Sequence, residues 1–414
     1  MTRISWRLLP LLLISYLVSL MDRSNISYAA VQMNADLKFS NSVYGLGAGL
    51  FFAGYALFEV PSNMLLARFG ARRWIARIML TWGLISMATL LVRTPQQFYL
   101  IRFLLGVAEA GFFPGVLLYL SYWYPNAWRG RAISRFNVAA PISTMLMGSI
   151  AGALLGLEGW HGLRGWQWLF FIEALPAVLM AVIIYAYLPD RPNDVAWLSR
   201  EEKSWLSATL AADAAAITPA HGFLRALLNP LVLSMGLTLA LCFGCILAIG
   251  YSGPKLLMAA TGWSVTRVGL LLAFGGALTM LAMLVLGWSS DRLRERPLHM
   301  TGGIVLAAFA VSLLARASTP GMTVGAYLLF SVVSTNIGMM GFMLAGDRLH
   351  PAQRAVGFAA MNSLAQVGSF AGPSLWGIAA DLTGGFHAAL TFIPIVLLLA
   401  AGIVLAIRRA GQPR

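Results

Sequence analysis

Twelve apolar runs, nearly all long enough to cross a hydrocarbon core as helices, govern what this chain can fold into. About 20 mostly apolar residues make such a crossing. The runs lie at roughly 8–32, 44–67, 74–92, 97–123, 132–157, 166–188, 230–252, 264–288, 298–317, 321–345, 354–380 and 386–408. They are too long and too continuous for barrel strands, so the class is an all-α integral membrane protein with twelve transmembrane helices. Only 11% of the residues are charged, against about 25% in soluble proteins. Arg3 and Arg7 followed by LLPLLLISYLVSL imitate a signal peptide. No small-residue cleavage site follows, so this run reads as a retained first helix.

The net charge of +14 reports topology. A nucleic-acid-binding protein would need a soluble basic face, and the basic residues instead sit in short loops between apolar runs. With both termini in the cytoplasm, 21 of the 29 Lys and Arg residues fall on the cytoplasmic side. The outer side receives Lys38, Arg93, Arg164, Lys255, Arg267 and Arg316. That bias fixes the expected orientation. Arginine outnumbers lysine 26 to 3 beside abundant Ala and Gly, a bias typical of a GC-rich bacterial gene, which places the chain in a bacterial cytoplasmic (inner) membrane.

One long connection, 189–229, separates two halves of six runs each, 1–188 and 230–414. It contains SREEKSWL, in which Ser199 and Glu202 have capping-box spacing, and reads as a linker with one amphipathic helix. The halves echo one another. GSIAG (148–152) recurs as GSFAG (368–372), and RFGARRW after run two answers GWSSDRLRER after run eight at a similar offset. Two pseudo-symmetric six-helix halves are a transporter architecture, with the site near the midplane at their interface.

Ionisable groups inside a bilayer are costly and mark function by default. Asp22 and Arg23 are adjacent in run one, Arg102 and Glu109 share run four, and Glu59 lies toward the cytoplasmic end of run two. Glu173 and Asp381 fall close enough to an outer edge to be solvated. Neighbours on a helix point about 100° apart, so Asp22 and Arg23 cannot face one partner. Arg102 and Glu109, seven apart, share a face about 10.5 Å apart along the axis. Gly106, Gly111 and Gly115 permit close helix approach around Glu109, and Pro114 weakens the helix just beyond it. A buried carboxylate that keeps or loses its proton according to a nearby arginine suits proton coupling, and an arginine forks onto a carboxylate. Two acids and two arginines therefore suit a proton-coupled carrier of an organic anion. Buried salt bridges that merely lock helices are the structural alternative.

Glu59, beside Pro61, reads as a structural or gating contact, and Tyr55 one turn earlier reads equally as cavity lining or packed aromatic. Asn362, Gln366 and Ser369 share a face of run eleven, fit for substrate hydroxyls or for interhelical hydrogen bonds. Cys242 and Cys245, alone in an apolar run, read as small packing residues. The five histidines lie in loops or near run ends without metal-ligand spacing, and no phosphate-binding Gly-rich loop with Lys is present. The expectation is neither an enzyme nor a metal or ATP-dependent protein, with no cofactor beyond the proton gradient as energy source.

These stretches resemble the major facilitator superfamily over the whole length. GWSSDRLRERP is similar to its loop signature, with Gly287, Asp291 and Arg292 in place. The first-half copy, NMLLARFGARR, keeps Arg68, Gly70, Arg72 and Arg73 but has Asn63 and Ala67 where Gly and Asp are usual. This implies a stronger conformational latch in the second half. DRSNISYA, VYGLGAGLFFAGYALFEVPSN, RFLLGVAEAGFFPG and GWQWLFFIEALPA resemble the anion:cation symporter family, most of all its tartrate- and phthalate-type carboxylate transporters. The resemblance implies proton coupling at Asp22 and Glu109. It implies substrate contacts at Arg23, Arg102 and Tyr55, and at Asn362 or Gln366, between which the sequence does not choose.

The leading expectation is import of a small organic carboxylate, a tartrate-like hydroxy-acid or an aromatic acid, by proton symport through alternating access, as a monomer. An anion exchanger or uncoupled facilitator is the alternative within transport. A transporter-like sensor would need a large cytoplasmic module. Drug efflux fits poorly with Arg23 and Arg102 in the site.

Overall fold

The computed structural model describes residues 1–215, 228–293 and 295–410, and it is helical almost throughout. Among the described residues, eleven helical segments are long and apolar enough to cross a membrane. The twelfth crossing is Pro351–Thr383, whose apolar character is diluted by Asn362 and Gln366. The spans are Thr2–Leu37, Asn41–Phe69, Ala71–Ala88, Pro95–Glu109 with Phe112–Ser121, Asn126–Asn137 with Ala139–Leu155, and Gly165–Tyr187 in the first half. The second half holds Pro230–Thr261, Val265–Leu293, Arg296–Ala315, Pro320–Arg348, Pro351–Thr383 and His387–Ala410. They are numbered spans 1 to 12 below, with "outer" and "inner" ends as the charge bias assigns them.

Among the described residues two hydrophobic cores form, one from spans 1–6 with the linker and Tyr251 of span 7, and one from spans 7–12. The linker helix Arg200–Ala215 joins the first core through Leu206. Its start carries the expected reciprocal cap: Ser199 N–H donates to Glu202 Oε2 at 2.8 Å, and Glu202 N–H donates to Ser199 Oγ at 3.1 Å. Residues 216–227 of the linker, with Arg225, lie outside the described residues.

The helix expected across 97–123 is broken. It stops at Glu109 and restarts at Phe112, with Gly111 at φ +84°. That conformation suits glycine, and a Cβ there would also meet Ser62 Oγ at 2.4 Å. Pro114, in the first turn of the new helix, has no N–H to continue the old ladder. Span 5 begins earlier than its apolar run, because Asn126–Asn137 forms a polar inner extension.

Close packing between the halves gathers at the outer ends. Span 2 lies on span 11 where a Cβ at Gly45 would meet the Pro373 carbonyl at 2.2 Å, and span 5 meets span 8 at Gly148 and Gly269. Asp381 of span 11 caps span 2, accepting from the backbone N–H groups of Asn41 and Ser42 at 3.1 and 2.7 Å. Lys255 Nζ donates to Asn41 Oδ1 at 2.7 Å, and Tyr44 Oη donates to the Tyr251 carbonyl at 3.1 Å. Nearer the inner side, Asn362 Nδ2 donates to both Glu59 oxygens at 3.0 Å.

Candidate functional site

Glycine builds the site. A Cβ at Gly106 of span 4 would meet the Phe51 carbonyl of span 2 at 2.0 Å, and one at Gly54 would meet the Phe103 carbonyl at 2.4 Å. Backbones in such contact bring Phe51 and Tyr55 of span 2 against the charged face of span 4. Arg102 lies on that face and Glu109 at its end, one helix stop before the break.

Asp22 and Arg23 diverge as the helical angle requires. Arg23 Nε donates to Glu109 Oε1 at 2.7 Å, and Ser19 Oγ, one turn earlier on span 1, donates to the same oxygen at 2.5 Å. Glu109 is fully buried, whereas the Arg23 side chain keeps 22% of its surface. Its guanidinium carbon stands 4.8 Å from the Tyr55 ring centre and 5.5 Å from that of Phe51. Asp22 turns the other way, into the first half, where its Oδ1 accepts from Ser86 of span 3 and from Asn25 Nδ2 at 3.2 Å.

Arg102 is the anomaly. It is 1% exposed, it lies 5.1 Å from the Phe51 ring centre with the Tyr251 side chain beside it, and none of its three guanidinium nitrogens makes a well-formed hydrogen bond. Phe51 thus carries two guanidinium groups against one ring. A bare guanidinium in a low-dielectric interior has strong drive to take up an anion, and its fork matches a carboxylate. Pairing with Glu109 along span 4 is not how the helix uses Arg102, because Arg23 already holds that acid.

Of the residues expected from sequence, Arg23, Tyr55, Arg102 and Glu109 converge on spans 1, 2 and 4, while Asp22 faces Ser86 of span 3. Asn362 reaches the same region from span 11 through Glu59, one turn inward from Tyr55. Gln366 is half-buried one turn further out. Ser369 is buried and donates to the carbonyl of Ala365 on its own helix. The loop-signature residues sit apart, at the inner ends. Gly70 has φ +88° and joins spans 2 and 3. Arg72 N–H donates to Asp190 Oδ1 at 2.9 Å, and its side chain reaches the Tyr185 carbonyl. Arg68 packs 5.6 Å from the Phe69 ring centre, and Arg73 is exposed. In the second half a Cβ at Gly287 would meet nothing within 4 Å among the described residues, and Arg292 stands 5.4 Å from the Trp288 ring centre. The side chain of Asp291 lies outside the described residues.

Glu173 corrects the sequence reading. It was expected near enough to the outer edge to be solvated, but it is 6% exposed. Span 6 turns this face toward spans 1 and 3, and side-chain direction within the bundle outweighs distance from the helix end. Ser19, Phe51 and Ser86 had no separate signal in the sequence, although Ser19 stands at i−4 from Arg23 and so shares its face. Among the described residues, no cluster of His, Cys, Asp and Glu is arranged to hold a metal ion.

The Major Facilitator Superfamily model matches residues 12–373 and 254–414. A protein named putative tartrate transporter from Agrobacterium vitis is 40% identical over 99% of this chain and 91% of its own length. The putative metabolite transport protein NicT of Pseudomonas putida is 41% identical over 98% of this chain and 94% of its own. In fold, the chain is similar to a solved bacterial homologue of the human lysosomal transporter Spinster, with TM-score 0.79 and 18% identity over 97% of this chain and 96% of that one. Twelve crossings in two six-helix halves, with buried charge at their centre and relatives of this kind along the full length, make the chain a member of the Major Facilitator Superfamily, a multi-pass membrane transporter and not an enzyme.

Proposed function

We propose that this transporter imports a small organic carboxylate by proton symport, with the two halves rocking about the central site. The observation that carries the reading is Arg102, a buried guanidinium none of whose three nitrogens makes a well-formed hydrogen bond. A substrate carboxylate supplies the missing acceptor and takes two parallel hydrogen bonds from its fork. A drug cation or a neutral sugar leaves that charge uncompensated. The relatives named as tartrate transporters support the hydroxy-acid class.

Proton coupling follows from the Arg23–Glu109 pair. Arg23 is the one partly exposed member and faces Tyr55. When the incoming carboxylate draws Arg23 away, Glu109 remains buried with only Ser19, and a lone buried carboxylate takes a proton rather than keep its charge. Asp22 is the second proton site, held off the substrate side by Ser86 and Asn25. Asn362, bound to Glu59 across the halves, is both a substrate-hydroxyl contact and a tie that loosens as the inner side opens. The loop-signature groups Arg68, Gly70, Arg72 and Arg73, with Gly287, Asp291 and Arg292, gate the inner ends. The protein works as a monomer in a bacterial inner membrane, with both termini cytoplasmic.

The test is external pH in a lightly buffered suspension of cells expressing the protein. Tartrate, glucarate, galactonate, phthalate and 4-hydroxyphenylacetate are added in turn. Alkalinisation by one acid, absent from empty-vector cells, is the expected result. Uptake of a labelled acid with no pH change identifies an exchanger or facilitator and overturns symport.

A further inference from the structure

Among the buried side-chain oxygens of the first half without a hydrogen-bond partner, four belong to neighbours on spans 1 and 6: Asp22 Oδ2, Asn25 Oδ1 and both oxygens of Glu173. All three residues are more than nine-tenths buried. Glu173 lies beside Asn25 and within electrostatic reach of Asp22, and neither of its oxygens makes a well-formed hydrogen bond. All four are acceptors, and the donors at Asp22, Asn25 Nδ2 and Ser86 Oγ, are already spent on its other oxygen, Oδ1.

Charge counting on spans 1, 4 and 6 agrees. Asp22, Glu109 and Glu173 are three buried acids, and Arg23 and Arg102 are two buried or half-buried cations. Arg23 is committed to Glu109. With all five ionised the interior holds one excess negative charge, and low-dielectric surroundings remove it by protonating an acid.

The sequence of span 1 points to where that proton enters. Asp36, Gln32, Tyr28, Asn25 and Asp22 are spaced four, four, three and three apart, which puts them on one helical face over about 21 Å. Exposure falls inward along this stripe. Asp36 is exposed, Gln32 half-buried, and Tyr28, Asn25 and Asp22 buried. Span 6 lies alongside: Trp166 Nε1 donates to Asp36 Oδ2 at 3.0 Å, Gly165 abuts the Gln32 oxygen, and Glu173 faces Tyr28 and Asn25. Spans 3 and 5 also pack on span 6. The ionisable side chains of span 3, Arg72, Arg73 and Arg77, all lie at its inner end, and Ala139–Leu155 has none.

Resting on the symport reading above, we propose that Glu173 is a further proton carrier, the station between the outer surface and Asp22 on a path along the span 1 stripe. Its carboxylic acid gives its proton to the Asp22 carboxylate. One O–H bond breaks at Glu173 as one forms at Asp22, and Glu173 is reprotonated from outer water along Gln32 and Tyr28. The path runs wholly inside the first half, so protons reach Asp22 without the outer contacts between the halves having to part.

Two measurements on the full chain in liposomes test this. The first is labelling by dicyclohexylcarbodiimide, which reacts with protonated carboxyl groups in apolar sites, read by mass spectrometry of the span 6 peptide. Labelling of Glu173 that declines as outer pH rises is expected. No labelling from acidic to alkaline pH overturns the proposal, because the acid is then ionised or sealed from the outside. The second compares Glu173→Gln and Glu173→Asp with the native chain, using labelled tartrate as probe. The ratio of pH-driven uptake to counterflow should fall about 10²-fold in Glu173→Gln, in the range for losing a positioned proton-transfer group. Glu173→Asp should restore most of it with a shifted pH profile. An unchanged ratio and pH profile in Glu173→Gln, in a native chain that is pH-driven, overturn the relay alone. A native chain driven by sodium or by no cation gradient overturns the symport reading itself.

Discussion

Arg102→Met separates a functional arginine from a structural one, because the two roles give opposite signs. The native guanidinium is 1% exposed and makes no well-formed hydrogen bond. Burying an ion costs several kcal/mol after relaxation. The Phe51 ring at 5.1 Å returns only about 0.5–2 kcal/mol. A deficit of a few kcal/mol is left in the substrate-free protein. Methionine fills a similar volume without charge, and replacing buried ionic groups by apolar ones is often stabilising by about 1–4 kcal/mol. Arg102→Met should therefore melt a few degrees higher in detergent, followed by tryptophan fluorescence or loss of monodisperse protein. The same variant should lose transport of every carboxylate, since the bidentate donor is gone. Arg102→Lys keeps the charge but loses one of two charge-assisted hydrogen bonds, worth about 1.5–3 kcal/mol, or roughly 10- to 150-fold in substrate affinity. A less stable Arg102→Met protein would refute the reasoning, for it would mean that Arg102 holds the bundle together.

Three other outcomes follow from the same geometry. Glu109→Gln should abolish uphill uptake while radiolabel counterflow persists, because the amide cannot exchange the proton. Gly106→Ala drives a methyl group to within 2.0 Å of the Phe51 carbonyl. Backbone cannot yield there as a flexible side chain does, so the cost exceeds the usual 1–3 kcal/mol of overpacking and little folded protein should reach the membrane on a size-exclusion assay. Asp381→Asn weakens the cap that span 11 places on span 2, about 1 kcal/mol. Thiol-reagent access from the outer side to a cysteine placed at Val43 or Leu46, both half-buried, should rise, and unchanged access would mean that glycine packing alone closes the outer end.

The charged centre was legible in the sequence because ionisable residues stand out against apolar runs. The divergence of Asp22 and Arg23 needed only the helical angle. Partners of neutral type were not legible: Ser86, 64 positions from Asp22, looks like any serine in a membrane helix. Phe51 was hidden among other aromatics, since only the Gly106 contact makes its ring the shared neighbour of two arginines. The break in span 4 was half-visible. Pro114 announced a weakness, but its position was set by Gly111, one glycine among many, which took the positive φ. Glu173 was misread because depth was counted along one helix. Burial depends on which neighbour the face meets, and that is a property of the packed bundle.

The proposed symport rests on one guanidinium serving two anions, and that arrangement is subject to linkage. Arg23 holds Glu109 at 2.7 Å and still has one unpartnered nitrogen, Nη2. A substrate carboxylate that binds Arg23 weakens its hold on Glu109 and so raises the proton affinity of that acid. Thermodynamic reciprocity then requires a proton on Glu109 to raise substrate affinity by the same factor, typically 5- to 150-fold for a coupling of about 1–3 kcal/mol. In the proposed coupling substrate binds more tightly to the protonated protein, and binding at constant pH draws protons from solution. Isothermal titration of the purified protein in two buffers of different ionisation enthalpy gives the proton uptake per substrate bound, and a pH series gives the affinity change. The slope of log affinity against pH must equal the measured proton uptake. Tight binding that draws no protons and ignores pH would show that Arg23 never leaves Glu109, leaving Arg102 to bind the acid alone and the transporter to run as a facilitator.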